Sequence, residues 1–123
     1  VYNSMNSSYE LSEDRKGILF EHLICNQLFH SAWARDREIG MGTFRSRGGL
    51  EIDFVLTLDG KRFAIEAKAQ KEFQSSFLQP LERLKTTYEK TITPLGVHMG
   101  KLSKKINGIW CHPWQVLLKE LGL

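Results

Sequence analysis

The stretch GGLEIDFVLTLDGKRFAIEAK, residues 48–68, decides how the rest of the chain is read. Two runs of alternating apolar residues flank Asp59 and Gly60, the residue pair favoured in two-residue hairpins because both central positions need positive φ. If Leu58 pairs with Lys61, the register places Phe54 opposite Ile65, Asp53 opposite Glu66 and Glu51 opposite Lys68. Alternation then puts Asp53, Glu66 and Lys68 on one face of the sheet, and Phe54, Leu56, Phe63 and Ile65 on the other. Two directly opposed carboxylates repel unless a cation lies between them. A divalent metal resolves the conflict. A solvated face of mutual salt bridges among Glu51, Asp53, Arg62, Glu66 and Lys68 is the alternative.

The composition limits what can surround this hairpin. A chain of 123 residues with 41% hydrophobic content can build one core and is too short for two. No run approaches the roughly 18 apolar residues of a membrane span, and no basic-then-apolar leader opens the chain, so a soluble cytoplasmic protein is expected. Val1 and the Asn- and Ser-rich VYNSMNSSYELSED suggest a fragment, with residues 1–12 as a boundary or linker and residues 13–123 as the domain. Cys25 and Cys111 belong to no Cys-x-x-Cys pattern and are expected to be reduced, buried thiols. Residues 1–60 carry six Lys or Arg against nine Asp or Glu, and residues 61–123 carry eleven against five. A basic second half suits a polyanion, and equally an ordinary solvated surface.

Organisation follows from periodicity. Ser12, with Glu13 and Asp14 behind it, makes a helix start, and RKGILFEHLICNQLFHSAWAR predicts a long, heavily buried helix. Three antiparallel strands are expected at IGMGTFRSR, LEIDFVLTL and KRFAIEAKA. SSFLQPLERLKTTYEK predicts an amphipathic helix entered from Ser75 or Ser76, with Pro80 in its first turn. Two short strands at TITPLGVHM and INGIWCHP precede a last helix, PWQVLLKEL, which starts at Pro113 and stops at Gly122. The order αβββαββα predicts an α/β fold with one mixed central sheet flanked by helices.

Asp53, then twelve residues, then Glu66-Ala67-Lys68, behind a helix carrying Glu21, resembles the PD-(D/E)XK nuclease superfamily. GILFEHLI, GGLEIDFVL, FAIEAKA and GIWCHPWQVLL further resemble the nuclease-like domain at the C-terminus of prokaryotic AAA-type ATPases. The resemblance implies a restriction-endonuclease-like αβββαβ core with a final strand and helix added. It also implies Asp53 and Glu66 as ligands of Mg²⁺ or Mn²⁺, with the Ala67 carbonyl as a third, and Lys68 orienting or activating the attacking water. Glu21 would act from the helix through metal-bound water, and Gln70 would contact substrate or a metal-bound water. Ile52 stands where the literal motif has proline. Nucleic acid, most readily DNA, is the implied substrate, and an ATPase domain N-terminal in the same polypeptide the implied partner.

Other residues carry weaker signals. Arg45, Arg47 and the KLSKK segment with Lys101, Lys104 and Lys105 could contact phosphates, and are also what exposed turns carry. His98, Cys111 and His112 lack zinc-ligand spacing and are expected in strands and turns. Trp110 and Trp114 could stack on bases, and core packing of the final strand and helix is the expectation. Three functions stay open: a metal-dependent phosphodiester hydrolase, a nucleic-acid-binding domain without cleavage, and a catalytically inactive module for docking or oligomerisation.

Overall fold

In the computed structural model, which describes residues 12–88 and 91–123, the hairpin forms as the sequence predicts. The side chains of Glu13, Asp14, Asp53 and Tyr88 lie outside that description, as does the expected linker up to residue 11. Helix α1 (Glu13–Ala34) leads into strands β1 (Ile39–Arg45), β2 (Glu51–Leu58) and β3 (Lys61–Ala67). β2 and β3 pair antiparallel from Leu58↔Lys61 to Val55↔Ala64, the expected register. Asp59 at φ +51° and Gly60 at φ +83° make the turn, a conformation open to glycine and tolerated by aspartate.

A 3-10 turn (Ser75–Leu78), helix α2 (Gln79–Arg83) and a π-helical turn (Leu84–Tyr88) carry the chain across to β4 (Thr93–His98). Strands β5 (Lys104–Ile106) and β6 (Ile109–Pro113) follow, and helix α3 (Trp114–Glu120) ends the fold. The sheet is six-stranded and mixed, in the order β1-β2-β3-β4-β6-β5. β3, β4 and β6 run parallel, and the other neighbours pair antiparallel.

Each sheet face has its own core. Phe20, Ile24 and Leu28 of α1 and Leu117 of α3 pack on Phe54, Leu56, Ile65, Leu95 and Val97. On the other face, Leu78, Leu81 and Leu84 pack on Ile52, Val55, Ala64, Ile109 and Cys111. This is a three-layer α/β arrangement, in which each helix buries one stripe against the sheet. Phe54, Leu56, Phe63 and Ile65 share a face, as alternation predicts.

Several expectations need correction. α1 is capped by Ser12, whose Oγ accepts from the Arg15 N–H at 3.3 Å. It is not heavily buried, because full burial is confined to the i, i+4 stripe Phe20, Ile24, Leu28 and Ala32, with Cys25 half-buried beside it, while Ile18 and Leu19 are more than half exposed. The strand expected at INGIWCHP is instead a hairpin. Asn107 at φ +52° and Gly108 at φ +80° form its turn, and Lys104 and Lys105 belong to β5 rather than to a loop. The order is therefore αβββαβββα. The segment around Pro80 begins as a 3-10 turn with no side-chain cap and becomes α-helical at Gln79, with Pro80 in the first turn. Trp110 is 45% exposed, since it sits on the sheet face next to edge strand β5, whereas Trp114 packs at the margin of the α1 core. Cys111 is fully buried but Cys25 only half-buried, and both are free thiols.

Candidate functional site

β2 and β3 bring the acid-rich motifs to one end of the sheet. β1 ends there at Arg45, β2 begins there at Glu51, and β3 ends there at Ala67. Beyond Ala67, the backbone stays tied to β4. The Lys68 N–H donates to the Val97 carbonyl at 2.9 Å, and the Met99 N–H to the Gln70 carbonyl at 2.8 Å. Lys68 thus lies one residue past the strand, although its backbone continues the ladder.

The Lys68 Nζ sits 3.4 Å from Glu66 Oε1, and the two side chains are 35% and 23% exposed. It also lies 5.0 Å from the centre of the Phe77 ring. An ammonium over an aromatic face is attracted by the ring quadrupole, so Lys68 is held from two directions. Phe77 in turn meets Phe73 edge-on at 5.3 Å between ring centres. In the sequence, Phe73 and Phe77 are marked only by their spacing of four at the entry to a helical segment.

A cleft of about 410 Å³ opens beside this end of the sheet. One wall is residues 67–70 and the other is Gly17, Ile18 and Glu21 of α1. Glu21 is half-buried and shares this cleft with Gln70, but Glu66 does not line it. The structure therefore pairs Glu66 with Lys68, and sets Glu21 across a cleft from residues 67–70. The Glu21 carboxylate also acts on its own helix, where burial first and its charge second push the Cys25 thiol up.

Asp53 is in β2, beside an irregularity. Gly42↔Val55 and Phe44↔Ile52 are both partners between β1 and β2, so β2 carries one extra residue across Asp53 and Phe54. Ile52 and Val55 consequently pack in the same core despite their odd spacing. The opposition of the Asp53 and Glu66 carboxylates falls two pairs beyond the last β2–β3 partners, and the Asp53 side chain lies outside the described residues. Glu51 is the direct partner of Arg45 in the β1–β2 ladder, with Arg45 Nε 3.6 Å from Glu51 Oε1. Arg45 and Lys68 therefore sit in two separate ion pairs. Arg47 is exposed in the turn between β1 and β2.

The donors at the end of β3 suit a hard cation in kind, since carboxylate and carbonyl oxygens are the ligands magnesium selects. Among the described residues no group of three or more His, Cys, Asp or Glu converges as a metal site. His98 and His112 are buried, and burial lowers the pKa of each. Their positions in β4 and β6 are structural: His98 Nδ1 accepts from the Gly100 N–H at 2.9 Å, and His112 Nδ1 lies 2.8 Å from Ser103 Oγ.

A family model described as a domain of unknown function, DUF4143, matches residues 16–117, and the chain belongs to that family. Nothing matches among curated proteins or among solved structures.

Proposed function

We propose that this chain is a restriction-endonuclease-like, metal-dependent nuclease domain that hydrolyses nucleic-acid phosphodiesters, DNA being the favoured substrate. The observation that carries the reading is the end of β3. There Glu66 and Lys68 are brought within 3.4 Å, and Lys68 is braced by Phe77. Glu66, the Ala67 carbonyl and Asp53 would hold Mg²⁺ or Mn²⁺. Such an ion, when bound, acidifies a water and neutralises charge on the phosphoryl oxygens. Lys68 contributes a positioned cation beside the same oxygens, which stabilises charge as it develops. Glu21 and Gln70 line the adjoining cleft, where they would orient solvent or substrate. Association with an AAA-type ATPase forms part of the proposal, since DUF4143 domains are often found in AAA-ATPase-associated proteins.

A second reading, a docking module without catalysis, has its own observation. Ile18, Leu19 and Leu23 of α1 are 54%, 53% and 37% exposed, Ile18 on the wall of the same cleft, and exposed apolar side chains on one element mark interaction surfaces. One experiment separates the two readings. Single- and double-stranded DNA and RNA are incubated with the chain and Mg²⁺ or Mn²⁺, beside Glu66→Ala and Lys68→Met. The nuclease reading expects metal-dependent cleavage that Glu66→Ala abolishes. Lys68→Met should lower the rate about 10²-fold or more while Mn²⁺ still binds by calorimetry. Absence of cleavage by the unmodified chain on every substrate transfers the assignment to docking.

A further inference from the structure

A second crevice, of about 290 Å³, lies beyond the carboxyl ends of the parallel strands β3 and β4 and extends over Ile106 of β5 and Cys111 of β6. It is enclosed by the segment after β3, carrying Lys71 and Phe73, and by the segment between β4 and β5, carrying Lys101 and Leu102. Crevices outside the carboxyl ends of parallel strands are where α/β folds bind ligands. The volume is near the lower end of the roughly 300–1,000 Å³ usual for small-molecule sites.

The lining divides by chemistry. Phe73, Ile106 and the buried Cys111 supply an apolar floor, and the exposed Leu102 an apolar side chain on the rim. Lys71, Lys101 and Lys104 supply three cations against the single carboxylate of Glu72. All three lysines are exposed, and among the described residues none is in an ion pair. The walls are fixed. A β-carbon on Gly100 would come 2.1 Å from the Lys71 carbonyl oxygen, so the two segments touch backbone to backbone. His98 stands behind this contact, 4% exposed, with Nδ1 occupied by the Gly100 N–H. The thiol of Cys111 is pushed up by burial to about 11, so the floor is packing surface rather than a nucleophile.

An apolar floor rimmed by unpaired ammonium groups fits a ligand with a flat apolar body and an attached anion. We infer that this crevice is a nucleotide subsite, with the base on Phe73, Leu102 and Ile106 and the phosphate on Lys71, Lys101 and Lys104. Residues 67–70 wall the Glu21 cleft, and Lys71 is the next residue in the chain. A strand laid across this end of the sheet would therefore pass from one site to the other. The inference rests on the nucleic-acid reading for its choice of ligand, and its test uses no metal.

The ¹⁵N-labelled chain, in buffer containing EDTA, is titrated with adenosine 5′-monophosphate, adenosine and inorganic phosphate. A trinucleotide with and without a 5′-phosphate follows, to separate a free nucleotide from a strand. The inference expects adenosine 5′-monophosphate to shift the amides of Phe73 and residues 98–104 more than phosphate or adenosine alone. It expects a combined Lys71→Ala, Lys101→Ala and Lys104→Ala variant to lose about tenfold or more in affinity. The urea midpoint of that variant should not move, because the three side chains are exposed. Shifts confined to other surfaces, or undiminished affinity in the triple variant, overturn the subsite. Binding here, with no cleavage in the separate assay with Mg²⁺ or Mn²⁺, supports the subsite and removes the nuclease reading, whereas metal-dependent cleavage in that assay without binding in this crevice does the reverse.

Discussion

Gly100→Ala tests whether the two segments at the carboxyl end of the sheet are locked together. The added methyl would lie 2.1 Å from the Lys71 carbonyl oxygen and 2.9 Å from His98 Nδ1. The first obstacle is backbone, which cannot turn aside as the tip of a long side chain could. One segment must move, and small-to-large changes in packed sites cost about 1–3 kcal/mol. Separation also strains the bond from the Met99 N–H to the Gln70 carbonyl, at 2.8 Å, worth about 1 kcal/mol. The expected loss is about 2–4 kcal/mol, with a fall in Tm on the order of 10 °C for a domain of this size. Urea denaturation gives the free energy, and amide exchange at Met99 reports whether the inter-segment bond is the part that opens. Gly42→Ala is the control: nothing lies within 4 Å of its added carbon and its backbone is not left-handed. It should be neutral or stabilise by roughly 0.5–1 kcal/mol. If Gly100→Ala were as benign as Gly42→Ala, the close contact and the rigid crevice built on it would be wrong.

Three further outcomes follow from the packing and electrostatics. Leu28→Ala, at a fully buried position where α1 meets the sheet, should cost about 2–5 kcal/mol in urea denaturation; Leu19→Ala, on the exposed side of the same helix, should change little. Arg37 joins the end of α1 to two other elements, with Nε 2.7 Å from Asp59 Oδ2 and Nη1 2.6 Å from the Leu121 carbonyl. Arg37→Lys should cost on the order of 1 kcal/mol by the same assay, since the ion pair is partly solvated and lysine cannot reproduce the two-pronged contact. Burial holds His98 and His112 below their ordinary 6.5. The unfolded chain therefore takes up protons first, and stability should fall as pH drops below about 6.5. At the alkaline end, Cys111 is raised from 9.0 to about 11. The unfolded chain then releases a proton that the folded chain keeps, and stability should fall as pH rises through that interval. Urea midpoints measured from about pH 5 to pH 11 should trace both limbs, and flat midpoints over that range would contradict the burial assigned to these groups.

The turns show which parts of the fold could be read from sequence. Asp59 and Gly60 fix their hairpin locally, so the register from Leu58↔Lys61 to Val55↔Ala64 follows from two residues and strand periodicity. Asn107 and Gly108 carry the same signal, yet the three residues Lys104–Ile106 are too short to show an alternating pattern that distinguishes β5 from an exposed turn. The extra residue at Asp53 and Phe54 left no mark in the sequence, because a bulge is set by how β2 fits β1 rather than by either strand alone. The partial burial of α1 is hidden from the sequence for a related reason. Its apolar residues lie on more than one side, and periodicity does not say that only the Phe20–Ile24–Leu28–Ala32 stripe is fully buried. Lys68 was placed beside Glu66 by alternation, and the pair forms; that Phe77 would brace it depended on a crossover no local pattern discloses.

The topology gives the candidate chemistry a direction. β3, β4 and β6 are parallel, so the segments that leave them emerge at one end of the sheet, the end where β1 finishes and β2 begins. Lys68, Gln70, Lys71 and Lys101 all lie on those emerging segments, and Arg45 and Arg47 lie at the close of β1 and just after it. The opposite end has its own cations, but Arg37 there is already engaged by Asp59 and the Leu121 carbonyl. An anion approaching the carboxyl end meets lysines without carboxylate partners among the described residues, next to the Glu66–Lys68 pair. Removing Lys71, Lys101 and Lys104 together should therefore weaken nucleic-acid binding at low salt and flatten its salt dependence. Charge removed at Lys61 and Arg62, beside the Asp59 turn, should leave both unchanged. Equal losses from the two ends would mean that the chain attracts polyanions through its net charge alone, with no face of the sheet set aside for them.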